Sequence, residues 1–320
     1  YAFAWIAAGQ SNRFEMLLAL SALAGAASGT ALPAIYAYAA DLADPANRAH
    51  LMGRVVSGWS VAVLLVVPLM SLAAHIIDWR WAFGGLSISA LATAAVLVRA
   101  PRPAAPLQTV SGGVLHSLAR VLGDGGMRRI LAANLLDMGA FYAVYAYLGS
   151  ELRRLNDWGP TPAGLTIAIY GAGLAIVTFN ARLIDRMGMR RTAISALLLL
   201  VAVLATLPWL AAVPLAMAIG MFVWGCVQGA FFVSTTALAA DRIPALRGVA
   251  TALLGSSTYV GVSMLTPVGT EVFARFGYGA VGVLSAASCL LAAGLLWGLE
   301  APVAACAAGS EASRSGGSVG

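Results

Sequence analysis

The sequence contains no lysine, and charged residues make up only 10% of its 320 positions. Soluble domains average about 25% charged residues, so a surface that faces mainly water is excluded. The phosphate-binding loop of ATP-hydrolysing proteins ends in a lysine followed by Ser or Thr, which excludes direct ATP hydrolysis by this chain. The basic residues are all arginines and lie between apolar runs. We therefore expect a lipid bilayer, and no nucleic acid, as the partner of this basic chain.

Cysteine and histidine are also scarce, with three of each. Cys226, Cys289 and Cys306 have no metal-ligand spacing, and we interpret them as small packing residues. The histidines are scattered, and no nucleophile, base and orienting acid occur in a catalytic pattern. The sequence therefore predicts no enzyme active site, no metal site and no bound cofactor.

Long apolar runs dominate the rest of the sequence, in which 60% of residues are hydrophobic. A membrane-spanning helix needs about 20 mostly apolar residues. Nine runs are of roughly that length, and residues 1–9 form a shorter run that we interpret as the end of a truncated helix. The nine predicted spans are residues 14–40, 53–76, 81–98, 129–149, 161–181, 192–209, 212–239, 248–273 and 277–298.

One pattern of residues occurs twice, at 39–68 and at 239–267. Each copy begins Ala-Ala-Asp, continues through a charged turn to Arg48 or Arg247, and ends on a proline twenty residues after that arginine. A long internal period with matched hydropathy is typical of a duplicated membrane protein. The offset of 247 − 48 = 199 residues puts a partner for the span at 129 about 70 residues before Tyr1. This predicts twelve helices in two halves of six, truncated at the N-terminus.

The same offset predicts the division of the chain. Residues 1–98 are the rest of the N-terminal half (the end of helix 3 to helix 6), 99–128 a linker, 129–298 the C-terminal half, and 299–320 a disordered tail. Alternating the loops puts fourteen arginines on one face and five on the other, and the positive-inside rule assigns the first face, with linker and tail, to the cytoplasm. The stretch around 115–122 is predicted as an amphipathic helix at the membrane surface.

Four local patterns resemble the major facilitator superfamily, and more narrowly its bacterial drug:proton antiporter and sugar-efflux branch. Residues 185–191, Asp-Arg-Met-Gly-Met-Arg-Arg, are similar to the second-half copy of the family's cytoplasmic loop between helices 2 and 3. Residues 53–68 stand at the antiporter signature of helix 5, although Val67 replaces a usual glycine. Residues 78–83 resemble the start of helix 6, and residues 139–148 the seventh helix of sugar and nucleoside efflux proteins.

The resemblance implies an all-α, monomeric, multi-pass protein of the inner membrane, built as a two-half helical bundle. It implies a secondary active transporter that exports a small amphipathic solute or drug by proton antiport, through alternating access. A sugar or nucleoside permease, for efflux or uptake, is the alternative, and a non-transporting membrane sensor or scaffold is a further one. The 185–191 loop implies a latch at the cytoplasmic face, formed by Asp185, Arg186, Gly188, Arg190 and Arg191.

Asp137 is the charged residue that lies well inside a predicted span. At helical spacing it shares a face with Asn134, Phe141 and Tyr145. Charges inside a membrane are costly and usually face a cavity or a partner, so these residues are candidates for a proton or substrate site. The alternative is a structural acid paired with Asn134 or with Arg128.

Two further stripes are candidates for the lining of a central cavity. Trp224 and Gln228 share a face of the tenth helix, and Tyr259 and Ser263 share a face of the eleventh. A mixture of aromatic and hydroxyl groups suits an amphipathic solute, although small polar residues also occur where membrane helices simply pack closely. The equivalent prolines, Pro68 and Pro267, are candidate hinges, and membrane helices also tolerate proline without such a role.

Overall fold

A computed structural model of the protein describes residues 1–42, 48–99, 113–180, 184 and 187–299. No β-strand occurs among them, which confirms the predicted all-α class. A π-helical turn, Ala62–Val66, joins the helix Arg48–Val61 to the helix Val67–Ile76, and a 3-10 turn, Pro244–Leu246, precedes the helix Arg247–Phe276. The helices are α1 (Ala2–Gly9), α2 (Phe14–Leu42), α3 (Arg48–Val61), α4 (Val67–Ile76), α5 (Trp79–Arg99), α6 (Gly113–Gly123), α7 (Gly125–Asn156), α8 (Pro160–Phe179), α9 (Met189–Leu210), α10 (Pro214–Arg242), α11 (Arg247–Phe276) and α12 (Tyr278–Trp297).

Within these ranges, seven helices are long and apolar enough to cross a membrane, namely α2 and α7 to α12. Their outer faces expose large apolar side chains, among them Leu199, Trp209, Phe276 and Trp297. A soluble protein rarely exposes so much contiguous apolar surface, so lipid is the fitting environment. The predicted count of nine complete spans remains a prediction, because α5 and the interrupted α3–α4 helix are not among the seven.

Turn chemistry sets the helix ends in the second half of the chain. The Asp124 carboxylate accepts the Met127 N–H at 2.6 Å and so starts α7 four residues before the predicted span. Pro160 and Pro214 are the first residues of α8 and α10. A backbone N–H at that position has no partner within the helix, so its absence in proline loses no helical hydrogen bond. Gly277, at a φ of 79°, makes the sharp turn into α12 that a residue with a side chain rarely adopts. The predicted surface helix is confirmed as a helix, α6. Of the predicted tail, residues 300–320 lie outside the described residues.

Helices α7 to α12 pack as one six-helix bundle. Helix α7 lies against α11 and α12, α9 lies against α10 and α12, and α8 lies against α10. Glycines allow the closest crossings, because a Cβ on Gly225 would meet the Tyr170 carbonyl oxygen and one on Gly261 would meet that of Leu135. Lipid tails are as apolar as the helices, so close backbone packing of this kind holds membrane helices together.

The earlier helices contact this bundle along α8 and α11. Helices α3 and α4 pack on α8, and α2 packs on α11. A Cβ on Gly171 of α8 would lie 2.7 Å from the Leu64 backbone nitrogen, and one on Gly164 would lie 2.8 Å from Ser71 Oγ. The two parts of the chain are therefore in tight contact where α8 meets the π-helical turn and α4.

The two candidate hinge prolines differ in their surroundings. Pro68 follows the π-helical turn Ala62–Val66, where the regular helical hydrogen-bond pattern is already altered. Pro267 lies inside α11, which continues to Phe276 without a change of helix type. A break in helix type therefore accompanies Pro68 alone, and the hinge role of both prolines remains a prediction.

We expect Gly225→Ala to destabilise the bundle, because its Cβ would overlap the Tyr170 carbonyl oxygen and come within 2.9 Å of the Leu174 nitrogen. Overpacking of this kind costs about 1–3 kcal/mol, so the thermal midpoint of the purified protein in detergent should fall by several degrees. Gly294→Ala is the matched control, since nothing lies within 4 Å of its added Cβ. Equal midpoints for the two variants would contradict this packing.

Candidate functional site

Asp137 is fully buried at the point where α7, α10 and α12 meet. Its Oδ2 atom accepts a hydrogen bond of 2.6 Å from Gln228 Nε2, on α10. The Cys289 thiol, on α12, lies 3.8 Å from Oδ1 and donates toward it. The carboxyl group thus has two neutral partners, and among the described residues it forms no ion pair.

Gln228 connects this carboxyl group to an indole. Trp224 Nε1 donates to Gln228 Oε1 at 3.3 Å, one helical turn away on α10. Because the Gln228 amide oxygen is occupied in this way, its nitrogen points to Asp137. The hydrogen bonds therefore run from Trp224 through Gln228 to Asp137, and all three groups are buried.

An aromatic cluster surrounds this chain of hydrogen bonds. The Phe141 ring lies 5.0 Å from Trp224, 5.4 Å from Tyr145 and 5.6 Å from Tyr170, measured between centroids. Tyr170 also contacts Trp224 edge-on at 5.2 Å. The structure thus brings together five of the residues proposed from the sequence: Asp137, Phe141, Tyr145, Trp224 and Gln228.

Asn134 is not part of this cluster. Its amide nitrogen donates to the Leu254 carbonyl oxygen at 3.1 Å and to the hydroxyls of Ser257 and Thr258, both at 2.9 Å. The alternative in which Asp137 pairs with Asn134 is therefore wrong, because the amide is bound by polar groups of α11 instead. Pairing with Arg128 is wrong as well, since that guanidinium donates to the carbonyl oxygens of Leu122 and Gly123.

A cavity of about 440 Å³ lies between α2 and α3 on one side and α7, α10 and α11 on the other. Aromatic rings and hydroxyls form much of its wall, and none of the described lining residues is charged. The lining residues are Gly29, Ile35, Val55, Gly58, Trp59, Tyr142, Phe232, Thr236, Thr251, Leu254, Gly255, Ser256, Thr258 and Tyr259. Tyr259 is therefore in the wall, as the stripe on the eleventh helix suggests, whereas Ser263 is not and donates to Val260 of its own helix.

Tyr142 connects the cavity to the buried cluster. It lines the cavity, and its ring meets Phe141 edge-on at 5.0 Å. On the opposite wall, Trp59 meets Phe232 at 5.0 Å with perpendicular rings. Sequence reasoning did not identify Trp59, Tyr142 or Phe232. Tyr142 and Phe232 lie off the faces considered on their helices, and no face of α3 was considered. Sequence reasoning also interpreted Cys289 only as a packing residue and did not predict the contact of its thiol with the Asp137 carboxyl group.

The predicted cytoplasmic latch is described only in part, because Asp185 and Arg186 lie outside the described residues. Gly188 has a φ of 84° directly before α9. Arg190 donates to the carbonyl oxygens of Leu296, at 3.3 Å, and Trp297 at the end of α12. Arg191 is exposed. Arg190 thus ties the start of α9 to the end of α12, and the proposed pairing with Asp185 remains a prediction.

An ion pair that the sequence analysis missed joins α7 and α10 at the same end of the bundle. Arg242 Nε and Nη2 lie 2.8 and 3.2 Å from the two carboxylate oxygens of Asp124. The hydrogen bond from Arg242 is the main cause that lowers the pKa of Asp124, with desolvation opposing it. Gly126 makes the contact possible, because a Cβ there would overlap the Arg242 guanidinium. An aspartate directly before a helical run is a capping signal that could have pointed to Asp124.

Comparison with known proteins gives matches along almost the whole chain. The family model described as Major Facilitator Superfamily matches residues 1–150 and 130–314. The uncharacterized MFS-type transporter YwfA of Bacillus subtilis is 27% identical over 274 residues, which are 84% of this chain and 66% of that protein. A probable sugar efflux transporter of Helicobacter acinonychis is 24% identical over 257 residues, 78% of this chain and 63% of that protein. The chain thus spans about two thirds, or slightly less, of these curated relatives.

Two solved structures are similar in fold. The human organic anion transporter MFSD10 superposes with a TM-score of 0.74 at 20% identity, covering 92% of this chain and 74% of that one. The fucose:proton symporter FucP of E. coli gives a TM-score of 0.68 at 14% identity, covering 94% of this chain and 82% of that one. Likeness at these identities concerns the fold alone.

The ion pair generates a pH-dependent prediction for Arg242→Gln. Since the folded-state pKa of Asp124 is lowered, the pair stabilises the folded protein above the unfolded-state pKa, and this stability is lost as the pH falls through the lowered value. We expect the variant to melt a few degrees below the wild type at neutral pH, with a difference that begins to shrink below about pH 4.

Thermal midpoints in detergent across this pH range check the expectation. Arg275→Gln is the control, because its pair with Glu271 is exposed and such pairs contribute little. A midpoint difference between wild type and Arg242→Gln that stays constant down to pH 3 (roughly one unit below an ordinary Asp pKa) would be evidence against this role of Asp124.

Proposed function

Because the chain belongs to the major facilitator superfamily, a family of membrane transporters rather than enzymes, we propose that it exports a small amphipathic solute in exchange for protons. Alternating access would be the mechanism, with the solute in the cavity between α2–α3 and α7–α10–α11. The Asp124 end of the bundle would face the cytoplasm, in accordance with the arginine count, and the protein would act as a monomer in the inner membrane.

The observation that carries this proposal is the buried carboxyl group of Asp137. An ionised carboxylate there would have a charge that no described cation balances, and a charge at such depth is costly. Taking up a proton removes that charge and weakens the hydrogen bond from Gln228, because a neutral carboxyl oxygen is a weaker acceptor than a carboxylate. Proton binding and release at Asp137 would therefore alter the contact between α7 and α10.

The aromatic cluster offers a path from the solute to this carboxyl group. A solute in the cavity touches Tyr142, Tyr142 contacts Phe141, and Phe141 contacts Trp224, the donor to Gln228. Rings in van der Waals contact cannot move independently in a close-packed interior. Displacement of Tyr142 by a solute would thus reach the hydrogen bond on Asp137 without direct contact between solute and carboxyl group.

The tight and open ends of the interface support the alternating-access part of the proposal. The cavity is built from residues nearer the Asp124–Arg242 end, such as Val55, Thr236 and Thr251. Toward the other end, near the start of α8 and the end of α4, Gly164 packs closely on Ser71. A cavity at one end of the interface and close packing at the other end are the arrangement expected of a transporter that is open to one side of the membrane.

Sugar efflux is a second candidate function. The Helicobacter relatives are named probable sugar efflux transporters. Four Ser and Thr side chains, those of Thr236, Thr251, Ser256 and Thr258, line the cavity. Aromatic rings and hydroxyls together also suit a sugar, which stacks and hydrogen-bonds. The non-transporting alternative, a sensor or scaffold, would bind a solute without moving it.

Asp137→Asn tests the proposed coupling. The full reading frame that contains this chain would be expressed in cells without their own pumps, and inverted vesicles would be followed for accumulation of a cationic dye with and without an uncoupler. We expect uncoupler-sensitive transport by the wild type and at least a tenfold loss in Asp137→Asn, because an amide cannot carry the proton. Glu271→Gln, at an exposed acid, is the control and should transport normally.

Asp137→Asn vesicles that transport as well as the wild type would remove Asp137 from the mechanism. Radiolabelled sugar that is transported where dye is not would favour the second candidate. If neither solute moves despite correct insertion, the non-transporting alternative would be favoured over both.

A further inference from the structure

A second cavity, of about 600 Å³, lies at the Asp124 end of the bundle and outside the proposed solute path. It is enclosed by the start of α7 and by the ends of α10 and α12. Three of its lining residues are arginines and one is an aspartate. The lining residues are Asp124, Gly125, Gly126, Arg128, Arg129, Ala132, Arg242 and Leu295.

The charge of this cavity is not balanced by the described carboxylates. Arg242 is paired with Asp124 at 2.8 Å. Arg128 donates to two neutral carbonyl oxygens, at 3.0 and 3.2 Å, and the Arg129 guanidinium lies against the α12 end, 2.9 Å from where a Cβ of Gly298 would be. In the part of the chain that the structure describes, neither Arg128 nor Arg129 forms an ion pair. Two positive charges are thus available to an anion.

The cavity also has an apolar side. Ala132 and Leu295 complete its wall. Leu291, one helical turn before Leu295 on α12, is exposed, and so is Trp297 at the end of that helix. Indoles and arginines are both favoured at the boundary between headgroups and hydrocarbon. A ligand that fits both sides has a phosphate group and an acyl chain, whereas a soluble phosphate would use the arginines alone.

We propose that this cavity binds the phosphate of an anionic phospholipid, with Arg128 and Arg129 as its ligands and an acyl chain lying along α12. Each guanidinium has five N–H donors, so the carbonyl contacts of Arg128 leave donors for a phosphate oxygen. The bound lipid would bridge the start of α7 and the end of α12, next to the Asp124–Arg242 pair. The proposed lipid site does not depend on which solute the protein carries.

Native mass spectrometry of the purified protein tests this proposal, with phosphatidylglycerol, phosphatidylcholine and inorganic phosphate as separate probes. We expect phosphatidylglycerol to bind in preference to phosphatidylcholine. The double variant Arg128→Gln/Arg129→Gln should lower phosphatidylglycerol affinity by at least about fivefold, since one arginine near an anionic surface contributes about that factor. Arg153→Gln/Arg275→Gln removes the same charge elsewhere and should bind like the wild type.

Equal binding of the two lipids by the wild type would overturn the proposal without reference to any variant. Unchanged phosphatidylglycerol affinity in Arg128→Gln/Arg129→Gln would also overturn it, as would displacement of the lipid by inorganic phosphate at equal concentration, which would indicate a soluble anion. Should the double variant fail to fold, Arg129→Gln alone gives the same comparison and leaves the Arg128 carbonyl contacts in place.

Discussion

The hydrogen bond from Gln228 to Asp137 is the contact around which the second half of this protein is arranged. It joins α7 to α10 at 2.6 Å and is completed by a thiol from α12, so three helices meet at one carboxyl group. Burying an unpaired charge in a helical bundle is unfavourable, and the bundle retains this carboxyl with neutral partners only. In the proposed function, protonation of this carboxyl group would alter the contact of α7 with α10.

Around this contact, the helices are held by two different kinds of packing. Glycine contacts such as Gly225 on Tyr170 and Gly261 on Leu135 bring backbones together and fix pairs of helices as rigid units. Aromatic contacts line the boundary between the second half and α2–α3, where Trp59 meets Phe232 and Tyr142 borders the cavity. The boundary of α8 with α4 and the π-helical turn is closed by glycine contacts instead, at Gly164 and Gly171. A boundary that is closely packed in one part and lined by aromatic rings in another is compatible with a rocking motion of the two halves.

Much of this could be predicted from the sequence, because hydrophobic run length and helical periodicity are local properties. The helical class and the family follow from the apolar runs and a few loop residues, and the family match confirms them. Asp137, Phe141 and Tyr145 share a face of α7, so their common position was predictable as well. Gln228, the partner of Asp137 in the structure, was identified only as a member of a separate stripe, since periodicity does not tell which faces of different helices meet.

The errors have the same physical origin. Asn134 shares the face of Asp137 by spacing, yet one turn of helix is enough to bring it to the hydroxyls of α11 instead. Asp124 and Arg242 are 118 residues apart, and nothing in either local pattern indicates their pairing. The walls of the cavity come from five helices, and a residue such as Trp59 becomes a lining residue only through the way α3 approaches α10.

The most direct test of the central claim is to observe the protonation of Asp137 itself. Infrared difference spectra of the reconstituted protein, taken on addition of a transported solute, report the carbonyl stretch of protonated carboxyl groups. The account predicts a change in this band on solute binding that is absent in Asp137→Asn and present in Glu271→Gln. A solute-induced band that persists in Asp137→Asn, or no carboxyl band in a protein that transports, would contradict it.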